Sequence, residues 1–189
     1  MKKLLIPILA LTFAVSSCGD DFDEEEFIKG QYSLEKDKNI LYESEDGRFK
    51  INFYGEPTKS SKAIPTEVGD VEMITFLYEK SVTEAYMVAY SDYPSKLIEN
   101  SPIDVLLDGA KNGGVSNLGI TIFEFEKNLK IAGNPGRHFK GNNGSSIYVE
   151  WKLFLTGNRL YQIAILRDGS YATQERTDDF FGSFELIKE

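Results

Sequence analysis

Two runs rich in apolar residues, separated by a two-residue turn, make up the stretch SIYVEWKLFLTGNRLYQIAILRD, Ser146–Asp168. The turn pair Gly157-Asn158 is suited to the tight connection of a β-hairpin. The opposite face of the first run carries Tyr148 and Phe154, which predicts that helices partly cover that side too. Every second residue of the first run is large and apolar, as in a strand inside a sheet: Ile147, Val149, Trp151, Leu153 and Leu155.

The rest of the chain from Ile40 onward predicts more strands. In 48–55, Phe49, Ile51 and Phe53 alternate with polar residues before a Gly-Glu-Pro turn. The polar stretch 56–70 is predicted as a connection. Further strands are predicted at 71–79, 85–93, 119–133 and 136–141.

Two helices are predicted among these strands. The clearer one begins at Ser101-Pro102, where Ser is a favourable N-cap and Pro fits the first helical position. Gly113-Gly114 is predicted to end it. The other helix is predicted from about Ser170 to Phe181. The apolar face of the first helix would consist of Ile103, Leu106, Leu107 and Ala110.

Residues 1–17, MKKLLIPILALTFAVSS, have the layout of a secretory signal peptide. Two lysines are followed by an apolar run of 12 residues from Leu4 to Val15 and then by small residues. The run is shorter than the ~20 residues of a spanning helix. Val15-Ser16-Ser17-Cys18 resembles the lipobox of bacterial lipoproteins, which implies a diacylglyceryl group on the Cys18 sulfur. The alternative is an exported protein with a free thiol or with a cysteine lost during processing.

Residues 18–39 are predicted to form a lipidated cysteine followed by an acidic, flexible linker, because they are rich in charge and poor in branched aliphatic residues. The acidic block Asp20–Glu26 is either a solvated spacer or, by resemblance, a signal that exports some lipoproteins to the cell surface. A calcium loop is disfavoured because Glu26 stands where such a loop requires glycine. Residues 40–189 are predicted as one domain.

The charge of the chain excludes several functions. Lys plus Arg number 21 and Asp plus Glu 30, a net charge of −9. Without residues 1–17 the numbers are 19 and 30, a balance of −11. Nucleic-acid binding needs a basic footprint, and anionic lipid attracts basic segments, so a lipid anchor is the expected membrane contact. Because Cys18 is the only cysteine, stability must come from a core of the size that ~150 residues allow.

Catalytic chemistry has few candidates in this sequence. His138 is the only histidine, and it is interpreted as a solvated or hydrogen-bonded strand residue. One histidine and an acylated cysteine cannot supply a zinc site, so neither metal nor cofactor is expected. Glu124 and Glu126 are two residues apart, which predicts that both side chains lie on the same, solvent-exposed face of a strand. Catalysis by this pair of acids is the less favoured alternative. The glycine-rich stretch 133–146 fits no phosphate-binding fingerprint and is interpreted as turns.

Aromatic residues are abundant, with 13 Phe, 10 Tyr and one Trp. Tyr90, Tyr93 and Tyr171 are candidates for a surface groove that binds a sugar, peptide or lipid. The favoured interpretation is that a sheet covered on both faces uses these rings in its core.

The order of four segments resembles the PsbP-like superfamily, which includes the extrinsic photosystem II protein, a Ran-binding nuclear import factor and the bacterial lipoprotein DcrB. The resemblance covers roughly residues 40–187. The sequence departs from the family pattern at Tyr54, where family members commonly have proline. It implies an α+β fold, a mainly antiparallel sheet flanked by helices in an α/β/α sandwich. The segments are YESEDGRFKINFYGEP at Tyr42–Pro57, IAGNPGRHF at Ile131–Phe139, LTGNRLYQI at Leu155–Ile163 and FFGSFEL at Phe180–Leu186.

Because members of that superfamily mostly act through binding, the resemblance implies a non-catalytic binding or assembly domain. We therefore expect a lipoprotein of the bacterial cell envelope, at the outer membrane, that engages a protein partner and no nucleic acid. The sequence does not decide whether the domain faces the periplasm or the cell surface. The alternative is a small-ligand receptor or an enzyme whose site is built from dispersed carboxylates and aromatic residues.

Overall fold

The computed structural model describes residues 39–66 and 69–187. The predicted signal peptide, Cys18 and the acidic block lie outside these residues. The helices are α1 (Ser95–Asn100), α2 (Ile103–Leu118) and α3 (Gln174–Gly182). The strands are β1 (Ile40–Ser44), β2 (Phe49–Phe53), β3 (Thr58–Thr66), β4 (Gly69–Ser81), β5 (Glu84–Asp92), β6 (Ile122–Ile131), β7 (Asn134–Asn142), β8 (Ile147–Thr156), β9 (Arg159–Asp168) and β10 (Glu185–Leu186).

The strands form two antiparallel sheets. The larger sheet has seven strands in the order β3-β4-β5-β9-β8-β7-β6, and the smaller has the order β1-β2-β10. Every strand pair in both sheets is antiparallel. This confirms the predicted α+β class with a mainly antiparallel sheet.

Each face of the large sheet has its own core. On one face α2 packs over β7 and β8, around Leu107, Phe139 and Trp151. The other face is covered by α3 together with the small sheet, around an aromatic cluster that includes Phe49, Phe154 and Phe180. The layer on this second face therefore contains the strands β1, β2 and β10 as well as helix α3. The sequence predicted helices alone on this face.

The predicted hairpin within Ser146–Asp168 is confirmed. β8 pairs with β9 across Gly157-Asn158, and Gly157 has a φ of 58°, which favours glycine. Both strands lie inside the seven-stranded order, with neighbours on each side. On the small-sheet face Phe154 stacks on Tyr161, with ring centroids 5.1 Å apart. Phe154 of β8's second face is thus a core residue, whereas Tyr148 is only half-buried and contacts Tyr171.

The polar stretch 56–70 was wrongly predicted as a connection, because it contains β3. This strand is an edge strand paired only with β4 in the large sheet. Its exposed Ser60, Ser61 and Lys62 hide any apolar period, and Pro65 is tolerated because an edge strand need not donate every hydrogen bond.

Helix α2 is longer than predicted. It continues through Gly113-Gly114 to Leu118, and Gly119, whose φ of 65° is left-handed, caps its C-terminus. Its buried residue is Leu107, whereas Ile103 was wrongly predicted as buried and is 43% exposed. The last helix also differs, since α3 begins at Gln174 rather than near Ser170.

Gly114 explains why glycine occurs inside this helix. A Cβ at Gly114 would overlap the Trp151 ring, while a Cβ at Gly113 would meet no heavy atom within 4 Å. The missing side chain lets α2 approach β8. The glycine pair therefore serves packing, at the cost of helix propensity.

This contrast gives a matched pair of variants. Gly113→Ala is expected to raise the free energy of unfolding by about 0.5–1 kcal/mol, because alanine favours the helix. Gly114→Ala is expected to lower it by about 1–3 kcal/mol through overpacking against Trp151. Urea unfolding of both variants measures the difference, and equal stability of the two would contradict this account of the interface.

Within the described residues, no helix is both long and apolar enough to cross a membrane.

Candidate functional site

Arg159 lies at the end of the large sheet where the β1–β2 turn meets the β8–β9 turn. Its Nε and Nη2 donate to the two carboxylate oxygens of Asp92, each at 2.6 Å. Nη1 donates to the backbone carbonyl of Asp46 at 2.6 Å. The guanidinium also lies over the Tyr90 ring, 4.4 Å from its centroid. Arg159 therefore ties the first hairpin to strands β5 and β9.

The β1–β2 turn has two further ties to distant parts of the chain. The Tyr161 hydroxyl donates to the Gly47 carbonyl at 2.7 Å. The Ile187 amide donates to the Arg48 carbonyl at 3.0 Å. Arg48 has a φ of 53°, an uncommon conformation for a residue other than glycine. The surrounding hydrogen bonds hold the turn in this conformation.

A small cleft of about 210 Å³ opens beside these groups. Typical small-molecule pockets measure about 300–1,000 Å³. Since three nitrogens of Arg159 are already hydrogen-bonded, the cleft offers few convergent groups for a ligand. Its lining residues are Arg48, Thr156, Gly157, Asn158, Arg159, Tyr161, Leu186 and Ile187.

Ionisation in this region follows from burial and from the arginine. The hydrogen bonds from Arg159 hold the pKa of Asp92 below its ordinary value, although partial burial acts in the opposite direction. Burial raises the pKa of the Tyr161 hydroxyl. At neutral pH the Asp92 carboxylate is therefore ionised and paired with Arg159, and the Tyr161 hydroxyl beside it is neutral. Neither group is available as a general base, and the arrangement serves the structure.

His138 and Glu150 form a second polar cluster, on the sheet face that α3 covers. His138 Nε2 lies 2.8 Å from Glu150 Oε1, and the Thr177 hydroxyl of α3 donates to Glu150 Oε2 at 3.5 Å. Lys140 Nζ lies 3.7 Å from the same oxygen. Burial alone would raise the pKa of Glu150, but the His138 hydrogen bond, Lys140 and Lys152 hold it below its ordinary value. His138 is the hydrogen-bonded strand residue that the sequence predicts.

Glu124 and Glu126 were wrongly predicted to share a face. A β-bulge between Phe123 and Phe125 inserts one extra residue into β6 and reverses the side-chain alternation there. Glu126 pairs with Lys111 of α2 at 2.6 Å. Glu124 lies 3.9 Å from Lys140, on the opposite face. The two carboxylates therefore cannot act as a catalytic pair.

The three candidate groove tyrosines do not come together. Tyr90 is only 7% exposed and belongs to the small-sheet core, whereas Tyr93 packs against the α2 core. Tyr171 lies under Lys140, with Nζ 4.6 Å from the ring centroid. The interpretation that the core uses the aromatic residues accounts for Tyr90 and Tyr93.

Two further predictions concern the lipid-attachment residue and a metal site. Cys18, the predicted lipid-attachment residue, lies outside the described residues. Across 39–66 and 69–187, no three His, Cys, Asp or Glu side chains are grouped so as to hold a metal ion.

The fold and these clusters define a class: an α+β domain built on a seven-stranded antiparallel sheet, whose described buried charges are paired. Protein-family models give no match to the sequence, and neither do curated proteins. Among solved structures, the chain is similar to the solution structure of cyanobacterial PsbP (CyanoP) from Synechocystis sp. PCC 6803. The identity is 11% and the TM-score 0.49, over 91% of this chain and 98% of that chain. The fold class rests on strand order and helices, and no functional conclusion follows from this likeness.

Proposed function

We propose that the protein is a lipid-anchored, non-catalytic binding domain of the bacterial cell envelope that engages a protein partner. The anchor is the acyl-modified Cys18 of the lipobox-like Val15-Ser16-Ser17-Cys18. Cys18 would carry several acyl chains, and more than one chain is needed for stable membrane attachment. The outer membrane is the proposed location. The acidic block Asp20–Glu26 is proposed as a spacer or as a surface-export signal.

Binding is favoured over catalysis by the state of the polar groups. The buried Arg159 and Glu150 are each engaged by neighbouring side chains. The cleft beside Arg159 has a volume of about 210 Å³, below the usual range for a substrate pocket. Catalytic groups need access to a reacting atom, whereas these groups hold strands together.

One observation carries the proposal of a protein partner: among the described residues, α2 packs over β7 and β8, while the part of the same sheet face on β4 and β5, here called the open face, stays half-buried at Leu77 and Met87. The side chains of Leu77, Met87, Ala164, Trp151 and Phe139 form one row across five adjacent strands. Helix α2 covers the end of the row that lies on β7 and β8. Leu77 and Met87 stay half-buried at the other end. A protein surface that packs over β4 and β5 would bury the apolar part of this row.

The test uses the full chain in its native membrane. A photo-crosslinking amino acid replaces Leu77 in one protein and Asn117, on the exposed side of α2, in a matched control. We expect one discrete protein adduct at position 77 that is missing at position 117. No adduct at 77, or the same adducts at both positions, would contradict a partner on the open face.

A further inference from the structure

The most unusual charge arrangement of the described residues lies across β6, β7 and β8. Lys127 is opposite His138, and His138 is opposite Lys152, so the three side chains form one row across three strands with His138 between the two lysines. They lie on the face of the sheet that α3 partly covers, where the His138 ring contacts Phe181. We call Lys127, His138 and Lys152 the basic row.

The nearby carboxylates leave two members of this row unpaired. Glu150 accepts from His138 and lies 3.7 Å from Lys140, and Glu124 lies 3.9 Å from Lys140. Within the described part of the chain, no carboxylate oxygen forms an ion pair with Lys127 or Lys152. Asp178 on α3 attracts Lys152 electrostatically, as the smallest of the influences on its pKa.

Aromatic rings take the place of carboxylates beside these two lysines. Lys127 Nζ lies 5.2 Å from the Phe125 centroid, and Lys152 Nζ lies 4.4 Å from the Phe181 centroid. The His138 ring stands edge-on to Phe125, with centroids 4.8 Å apart. A cation–π contact uses one side of an ammonium group and leaves its other N–H bonds available for an acceptor.

The electrostatic state of Lys152 supports the same conclusion. Burial, with a contribution from Lys127, lowers the pKa of Lys152, and the attraction of Glu150 only partly opposes this. An anion beside the ammonium would offset both causes. In the free protein, burial and Lys127 thus disfavour the charged form of Lys152, and an anionic ligand would stabilise that form.

We propose that the basic row is a binding site for an oxyanion, such as a phosphate, sulfate or carboxylate group. Lys127 and Lys152 donate to the oxyanion, and Phe125 and Phe181 flank an apolar or ring-bearing body attached to it. Charge-assisted hydrogen bonds of this kind are the strong ones in proteins. The site is separate from the open face over β4 and β5, because it lies on the other side of the sheet.

The experiment titrates the full chain with inorganic phosphate and with phenyl phosphate, at constant ionic strength, while NMR follows the His138 ring. We expect saturable shifts with both probes, tighter binding of phenyl phosphate, and no shift with sodium chloride. Equal affinity for the two phosphates would overturn the role of the rings. Shifts that do not saturate would overturn the site.

Variants assign the site to the basic row. Lys152→Met and, separately, the exposed Lys127→Gln are each expected to weaken phosphate binding about tenfold, the effect of losing one charged hydrogen-bond donor. Lys62→Met, on the opposite edge strand β3, removes the same charge and is expected to change nothing. Equal weakening in all three variants would show a general charge effect and overturn the proposal. Because Lys127 is exposed, its variant gives a result even if Lys152→Met does not fold.

Discussion

Replacing Cys18 with alanine is expected to move the protein from the membrane fraction to the soluble fraction. In the proposed function the Cys18 sulfur is the attachment point of the lipid, and the chain has no other cysteine. The acidic balance of the mature chain disfavours electrostatic attachment to anionic lipid. Fractionation of cells that produce each protein measures the change, which should be nearly complete.

The matched control is Ser17→Ala, which keeps a small residue before the cysteine and should leave the protein in the membrane fraction. If Cys18→Ala stays with the membrane to the same extent as the control, the lipid-anchor proposal is wrong. Loss of both variants from the membrane would instead show that the Ser17 position itself is required for processing.

Arg159→Ala is expected to lower the free energy of unfolding by about 3 kcal/mol. The arginine side chain is 10% exposed, and its removal leaves the Asp46 carbonyl and the Asp92 carboxylate without their donors. Losing one partner of a buried pair costs about 3–5 kcal/mol. Because Asp92 is 48% exposed, water offsets part of that cost, which places the expected value at the low end.

Guanidinium or urea unfolding measures this loss, and two variants control for charge and geometry. Arg159→Lys keeps the charge but cannot form the bidentate contact, so its stability should lie between those of the wild type and Arg159→Ala. Lys62→Ala removes an exposed charge and should change stability by no more than about 0.5 kcal/mol. A loss at Arg159→Ala as small as that at Lys62→Ala would contradict the structural role of this residue.

The same ion pair gives a pH dependence with a defined sign. The folded protein holds the pKa of Asp92 below its ordinary value, so the pair contributes stability that is fully present above about pH 4. That contribution is lost as the pH falls through the lowered pKa. The stability difference between wild type and Asp92→Asn should therefore shrink below about pH 4, and a constant difference would contradict it.

The central hairpin was predictable from sequence because one physical cause dominates it. The face of β8 toward α2 is buried at Val149, Trp151, Leu153 and Leu155, so every second residue of the strand has to be apolar. The turn Gly157-Asn158 adds a local signal that does not depend on distant contacts. Strand β3 gave no such signal, because an edge strand with exposed Ser60 and Lys62 has little apolar surface to bury.

Helix α2 shows how packing between distant residues defeats a local rule. Two adjacent glycines usually indicate the end of a helix. Here Gly114 is required by the ring of Trp151, which lies 37 residues further along the chain, and that contact cannot be read from residues 101–119 alone. The bulge in β6 is a similar case, because an extra residue in one strand is visible only against its partner strand.

The polar clusters were harder to predict than the fold. Arg159 directly follows the turn, where a charged residue is ordinary, and nothing local shows that Asp92 is its partner. Glu150 and Lys152 did carry a signal, because both occur in the strand predicted to be covered on its two faces. Charged residues at such positions indicate a buried polar network, and that signal would have directed attention to His138 and its neighbours.

The proposed function places this domain at a membrane, and the mass of the intact protein purified from membranes tests that most directly. The proposal predicts a chain that begins at Cys18 and is heavier by the diacylglyceryl group on its sulfur. A chain that keeps residues 1–17, or one that carries an unmodified Cys18, would contradict the lipid anchor and with it the proposed function.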